Sequence, residues 1–406
     1  MHALLVRAVV DALQRIFVEG HYADKVIEQT LRSNPKAGSR DRAFMAEAIY
    51  EIVRYYRLFS TILGKEPRQL TDFWDVFAIY YITKPLRQGQ EERGSLPEWR
   101  EFARIKPTEV IRKYQAALED RVVRESIPDW IDARGAAELG DRWPETLHEL
   151  NRPAEVVLRV NTLRTTREQL QKALLEEGIE TVPVGNTTAL RLKLRKNVFM
   201  TKAFRAGHFE VQDYSSQAVA PMLEVEPGMR VVDACAGGGG KSLHLAALMQ
   251  NKGQLISLDT LAWKLDELKV RARRAGVSNI ETRPIENNKV IKRMYGTADR
   301  LLLDVPCSGL GVLRRNPDSK WKLTEAQLNQ LLETQQTILQ SYSPMVKSGG
   351  KMVYATCSIL PSENRSQVDH FLASEAGKGW ELVKDRSILP QEEGFDGFYM
   401  ALLSKK

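Results

Sequence analysis

Two of the chain's three cysteines stand just past apolar, strand-like runs. They occur in Leu301-Leu302-Leu303-Asp304-Val305-Pro306-Cys307-Ser308 and in Val353-Tyr354-Ala355-Thr356-Cys357-Ser358. Open α/β sheets gather their reactive groups at strand ends along one edge. Two thiols delivered to such an edge point to thiol chemistry on a substrate held there. The third cysteine, Cys235, follows Val231-Val232-Asp233-Ala234 and leads into the glycine run Gly237 to Gly240, which ends at Lys241. The bland alternative is a set of inert, buried thiols. A metal is not expected, because the cysteines are far apart, no CxxC pair exists and histidines are few.

The elements that must position these residues begin at Gly228, where strand and helix patterns alternate. The predicted strands are 230–233, 254–258 ending at Asp259, a short one from Ile280, 301–303 ending at Asp304, 351–355, and a late one at 398–403. Helices are expected over 241–249, 263–275, 325–345 and 363–372. Continuous apolar strands between helices imply a parallel, doubly wound sheet. This part is expected to fill residues 207–406.

Residues 1–148 read as a helical domain by hydrophobic period, with Leu5, Val9, Leu13 and Ile16 on one face and Met45, Ile49, Ile52 and Tyr56 on another. A polar stretch, 84–98, reads as a loop. Residues 149–206 read as a small α+β unit. Val156 to Asn161 is strand-like, Thr165 and Glu168 form a capping box for a helix to Glu177, and 179–184 and 190–194 are further short strands.

At 406 residues, more than one domain is expected. The net charge of +7 is compatible with a polyanionic partner without requiring one. Three cysteines make no disulfide framework, which suits a reducing compartment, and no run approaches the roughly 20 apolar residues of a membrane span. Cytoplasm is therefore the expected location.

The loop Asp233 to Ser242 is strand, glycine turn and helix start, and three ligands compete for it. A P-loop is suggested by Gly240-Lys241-Ser242, but Cys235 stands where its first glycine belongs. A dinucleotide fold needs a different glycine spacing. S-adenosylmethionine needs a close-approach turn and an acid at the next strand end, a place that Asp259 fills.

Taken together, the three motifs resemble the Sun/RsmB-type RNA (cytosine-5)-methyltransferases. That family carries Asp-x-Cys-Ala-Ala-Pro-Gly-Gly-Lys, then Asp-Val-Pro-Cys-Ser, then Ala-Thr-Cys-Ser-x-x-Pro-x-Glu-Asn. The chain matches at Asp233–Ser242, Asp304–Ser308 and Ala355–Asn364, and also at Val211–Gln217, Arg314–Asp318 and Trp321. It departs at Gly237-Gly238, where the family has Ala-Pro. Leu158 to Leu163 resembles the signature of the family's small RNA-recognition-like unit. Asp41 to Arg54 resembles the NusB-like domain of the branch that methylates bacterial 16S ribosomal RNA.

The resemblance implies a Rossmann-like S-adenosylmethionine-dependent methyltransferase sheet preceded by those two units. It implies methylation of C5 of a cytosine in RNA, with 16S ribosomal RNA as the expected substrate. Transfer RNA and a non-catalytic role in RNA binding or ribosome assembly are the alternatives. Cytosine C5 is a weak nucleophile, and a thiolate adding to C6 activates it. By resemblance Cys357 is that nucleophile, Cys307 assists product release, Asp304 holds the base edge, and Lys241 lowers a thiol pKa or orients the base. DNA cytosine-5 methyltransferases use a Pro-Cys cysteine instead, so the reversed assignment stays open. The cofactor residues implied are Cys235, Ala236, Gly237, Gly238, Gly239, Gly240, Lys241, Asp259, Asp304 and, near adenine, Glu286. Arg159, Arg314 and Arg315 are candidate RNA contacts, joined by Lys202 and Arg205. A monomer is expected, with no membrane partner and no metal.

Overall fold

Val6, Val9, Val10, Leu13 and Ile16 recur at helical spacing, and all are buried on the helix Ala3–Phe17 of the computed structural model, which describes residues 2–90 and 94–406. Further helices follow at Ala23–Ser33, Ser39–Arg54, Tyr56–Leu63, Leu70–Arg87, Pro107–Ala117, Asp129–Leu139 and Trp143–Leu150. Their core is rich in aromatic side chains, among them Phe59, Phe73, Phe77 and Tyr80. The stretch read as a loop from residue 84 is still helical to Arg87, and the helix ends two residues after Pro85, which lacks the N–H to continue the ladder. The part of that loop at 91–93 lies outside the described residues.

Residues Met1–Asn151 and Leu313–Glu325 form one compact unit. The second piece was expected with the sheet. Its side chains explain the grouping. Arg314 donates from Nη2 to Glu149 Oε2 at 2.8 Å, Trp321 Nε1 donates to Val53 O at 2.7 Å, and Asp318 Oδ2 accepts from Ala23 N at 3.0 Å.

The other unit, Arg152–Val312 with Ala326–Lys406, contains two sheets. The small one comprises β1 (Val157–Val160), β2 (Thr181–Pro183), β3 (Ala189–Leu192) and β4 (Phe209–Val211), antiparallel in the order β2-β3-β1-β4. The helix Arg167–Glu176 packs Leu170 and Leu174 against it. Its capping box is Thr166 with Gln169, one residue beyond the expected pair, because Thr165 N is already engaged by the turn carbonyl of Asn161.

The large sheet comprises β5 (Arg230–Asp233), β6 (Gln254–Asp259), β7 (Ile280–Pro284), β8 (Ala298–Asp304), β9 (Val346–Thr356), β10 (Trp380–Ile388) and β11 (Phe398–Lys405), in the order β10-β11-β9-β8-β5-β6-β7. β5 to β9 are parallel, whereas β11 runs antiparallel between β9 and β10. An all-parallel sheet was expected, but apolar patterning carries no strand direction. Both faces are covered. Val232, Ile256, Leu301 and Tyr354 meet Ile338, Leu339, Val368 and Phe371, while Val231, Leu255, Leu302 and Val353 meet Leu245, Ala246 and Met249. Strand order reverses at β5 and β8, so the carboxyl ends of those strands border the crevice where such sheets bind ligands. Among the described residues no helix is long and apolar enough to cross a membrane.

Candidate active site

β8 and β9 are parallel neighbours with Asp304 opposite Ala355, so the residues just past them emerge side by side. Val305 N donates to Ala355 O at 3.0 Å and keeps the two exits together. Cys307 Sγ and Cys357 Sγ are consequently 3.4 Å apart and share a hydrogen bond. That bond, reinforced by burial, by the Cys357 charge and by Glu363, pushes the Cys307 thiol well above its ordinary range.

Lys241, in the first turn of the helix Gly240–Leu248, places Nζ 2.6 Å from Asp304 Oδ2. Burial works against its charge. Asp304, by charge and hydrogen bond, and then Cys357 and Asp233 outweigh that, so the lysine is held above its usual pKa and stays an ammonium. Lys241, Asp304, Cys307 and Cys357, singled out in the sequence, thus converge on one strand edge.

Glu363 was not singled out. Its carboxylate is fully buried between the two cysteine loops. Oε1 accepts from Ser308 N at 2.8 Å and Gln335 Nε2 at 3.0 Å, while Oε2 accepts from the hydroxyls of Ser308 and Ser358. One carboxylate therefore ties Cys307-Ser308 to Cys357-Ser358. Gly311 completes the contact. Its N donates to Cys357 O at 2.9 Å, and a Cβ there would stand 2.2 Å from Gly397 O. The available signal was the Glu-Asn pair that ends the third motif.

At the glycine loop, Asp259 lies at the end of β6. Its Oδ2 accepts from Gly237 N and its Oδ1 from Leu261 N, both at 2.8 Å. Gly237 has φ +53°, and a Cβ there would meet nothing within 4 Å, so the turn faces open space. This left-handed bend is one that an alanine before proline avoids, which is a physical reason for glycines where the family has Ala-Pro. Gly239, at φ +84°, packs so closely that a Cβ would be 2.0 Å from Leu268 Cδ1. Cys235 is pushed well up by burial, then by Asp233, Asp304 and Asp259, and stays a thiol. Burial pushes Asp233 up to about 7, although Ser242 Oγ donates to its Oδ2 at 2.6 Å. Glu286 is exposed just past β7 and makes no hydrogen bond to this loop among the described residues.

Two arginines offered as RNA contacts are committed elsewhere. Arg314 is buried on Glu149, as described above. Arg159 on β1 is also buried, and its Nη1 donates to Gly240 O at 2.5 Å and to Gln212. Burial draws its pKa down to about 10. The neighbouring carbonyl, Gly238 O, accepts from Arg271, whose Nη2 is 2.9 Å from Glu210 Oε2 on β4; Arg274 pairs with the other oxygen of Glu210. The small sheet thus grips the glycine loop from outside, through carbonyls no sequence pattern identifies. Arg315 is half-buried.

Known proteins resemble this chain in sequence and in fold. The family model described as 16S rRNA methyltransferase RsmB/F matches residues 220–404, and that of a Methyltr_RsmF/B-like ferredoxin-like domain matches 127–199. A probable ribosomal RNA small subunit methyltransferase B of Synechocystis sp. is 30% identical, covering 95% of each chain. The corresponding protein of Pectobacterium carotovorum is 35% identical over 73% of this chain and 72% of its own. Among solved structures, that of PH0851 superposes with a TM-score of 0.83 at 24% identity, covering 100% of this chain and 99% of the other. A methyltransferase homolog from Pyrococcus horikoshii gives 0.63 at 24% identity, covering 72% and 99%. At these identities the superpositions speak to the fold alone.

Proposed function

We propose that this chain, which belongs to the RsmB/F methyltransferase family, methylates C5 of a cytosine in RNA, with small-subunit ribosomal RNA as its substrate class. The observation that carries the reading is the pair of thiols 3.4 Å apart beside the Lys241–Asp304 ion pair. Cys357, closer in charge to the Lys241 ammonium, adds to C6 as the thiolate. Addition makes C5 nucleophilic. Asp304, anchored by Lys241, faces the base edge. After methylation the C5 proton must leave and Cys357 must be expelled, and Cys307 assists that release.

S-adenosylmethionine supplies the methyl group when bound. The residues fit it: the turn Cys235–Lys241 opens at Gly237 and opens onto a helix N-terminus, with the Asp259 carboxylate on its rim for the ribose hydroxyls. Glu286 is proposed toward the adenine. The target base must leave any stack to reach the thiols, which favours loops and single strands.

The test is transfer of a tritiated methyl group to small-subunit ribosomal RNA and, separately, to transfer RNA, with bisulfite sequencing of the product. Cys307→Ala should trap a covalent RNA adduct, seen as a gel shift, and Cys357→Ala should abolish transfer and adduct. Trapping by Cys357→Ala instead would reverse the roles, and label on transfer RNA alone would change the substrate.

A further inference from the structure

We propose that the ridge from Lys193 to Arg205 on the small α+β unit is a binding surface for single-stranded RNA, separate from the cysteine site. The inference rests on RNA being the substrate and adds where that RNA is held. From Arg191 to Phe209 the chain has six lysines and arginines and no acid. Two of these cations are matched, Arg191 by Glu155 at 2.9 Å and Lys193 by Glu180 at 2.8 Å. Lys196 donates to Gly178 O, a carbonyl rather than an acid, at 2.6 Å. Arg195, Lys202 and Arg205 are exposed, and their side chains have no hydrogen bond or ion pair among the described residues.

Large apolar groups stand among these cations. Leu194 is 70% exposed, Phe199 54% and Met200 65%. The loop that carries them is ordered by its own bonds. Thr201 Oγ1 donates to Val198 O at 2.7 Å and accepts from Phe204 N at 3.1 Å, and Glu177 Oε2 accepts from Lys202 N at 2.9 Å. Val198 and Ala203 anchor it in the core. Phe199 is braced edge-on by Phe204, with ring centroids 5.1 Å apart, and Phe204 in turn lies under the Arg274 guanidinium at 3.9 Å. A braced aromatic ring that the core does not need, flanked by unmatched cations, suits unpaired bases on the ring and phosphates on the cations. A duplex keeps its bases stacked and offers the ring nothing.

The experiment uses the full chain and a short, unstructured, fluorescein-labelled RNA, alone and annealed to its complement, with anisotropy read across a salt series. Phe199→Ala should weaken single-strand binding about fivefold or more and leave duplex binding unchanged. Lys202→Glu with Arg205→Glu should lower the slope of log affinity against log salt by about 1.4 for the single strand. Calorimetry with S-adenosylhomocysteine checks that the variants are folded. Wild-type affinity and salt slope in both variants would overturn the proposal, as would equal losses on single strand and duplex for Phe199→Ala. Methyl transfer by the wild type, run in parallel, separates the two readings: its absence undoes the proposed function, whereas its presence with unaltered variant binding undoes the ridge alone.

Discussion

Replacing Arg159 by methionine tests what holds the glycine loop. Arg159 is buried, and its Nη1 donates to Gly240 O at 2.5 Å and to Gln212. A buried hydrogen bond from a charged donor is worth about 1.5–3 kcal/mol. The loop has lost the stiffening that Ala-Pro would give, so its order depends on contacts from outside. If the Gly240 bond is the main restraint, its loss lets the free loop leave the binding geometry by that same amount. Apparent affinity falls by the fraction of competent loop, an upper range of about 10- to 150-fold. Arg271 still holds Gly238 O, which places the expected loss near the low end, about tenfold. Glu210 keeps Arg271 and Arg274, so no carboxylate is orphaned, and methionine fills much of the vacated volume. The chain should therefore fold.

Calorimetry with S-adenosylhomocysteine on the full chain reads the effect. Arg159→Met should weaken binding about tenfold, and Glu210→Gln, which loosens Arg271 only indirectly, should weaken it less. Unchanged cofactor affinity in Arg159→Met, together with a lower yield of trapped RNA adduct in the Cys307→Ala background, would refute this reasoning. It would return Arg159 to the RNA surface.

Glu363→Gln offers one acceptor oxygen where four donors converge, so unfolding in urea should show a loss on the order of 3 kcal/mol. The trapped adduct should fall while cofactor affinity holds, and parallel losses of both would mean general damage. Asp233 titrates near 3.8 when unfolded but is pushed up to about 7 in the fold, so between those values the folded chain keeps a proton that the unfolded chain has released. Its contribution is fully present below about pH 4 and is lost as pH rises through 7. Urea titrations should show wild type losing ground to Asp233→Asn by on the order of 4 kcal/mol across that window and no further above it; a flat difference would show that the carboxyl is not raised. Gly239→Ala combines a left-handed backbone with a contact 2.0 Å from Leu268 Cδ1 and should cost about 2–5 kcal/mol. Gly238→Ala, which meets Arg271 Nη1 at 3.2 Å, should cost much less, and similar melting temperatures for the two variants would contradict the packing argument.

The parts legible in the sequence were those buried on both faces. β5, β6, β8 and β9 read as continuous apolar runs, and the residues at and just past their carboxyl ends, Asp233, Asp259, Asp304, Cys307 and Cys357, fell where expected. β10 was not legible, because it is an edge strand with Glu381, Lys384, Asp385 and Arg386 along it and only its ends buried. Long-range partners were not legible either. Arg159 looks like any strand arginine until the fold brings Gly240 O to it, 81 residues along the chain. Glu363 looks like a helix-start acid until Ser308, 55 residues earlier, is seen to donate to it. Residues 313–325 carry a catalytic-domain motif, yet Arg314 and Trp321 bond to helical residues that no local pattern names.

The proposed division of labour between the cysteines follows from an asymmetry of charge around them. On one side stands the Lys241 ammonium, whose pKa the Cys357 charge helps to raise. On the other stands the buried Glu363 carboxylate, which together with the shared hydrogen bond disfavours a charge on Cys307. The shared hydrogen bond between sulfurs 3.4 Å apart favours the proton on Cys307, and the attack is therefore proposed for Cys357, the thiol that interacts with the Lys241 ammonium. The reversed assignment would put the thiolate on Cys307, whose charge Glu363 and the shared hydrogen bond disfavour. In the proposed release step Cys307, hydrogen-bonded to the attacking sulfur, gives its proton to Cys357 as that sulfur departs and, as the resulting thiolate, takes the proton that leaves C5.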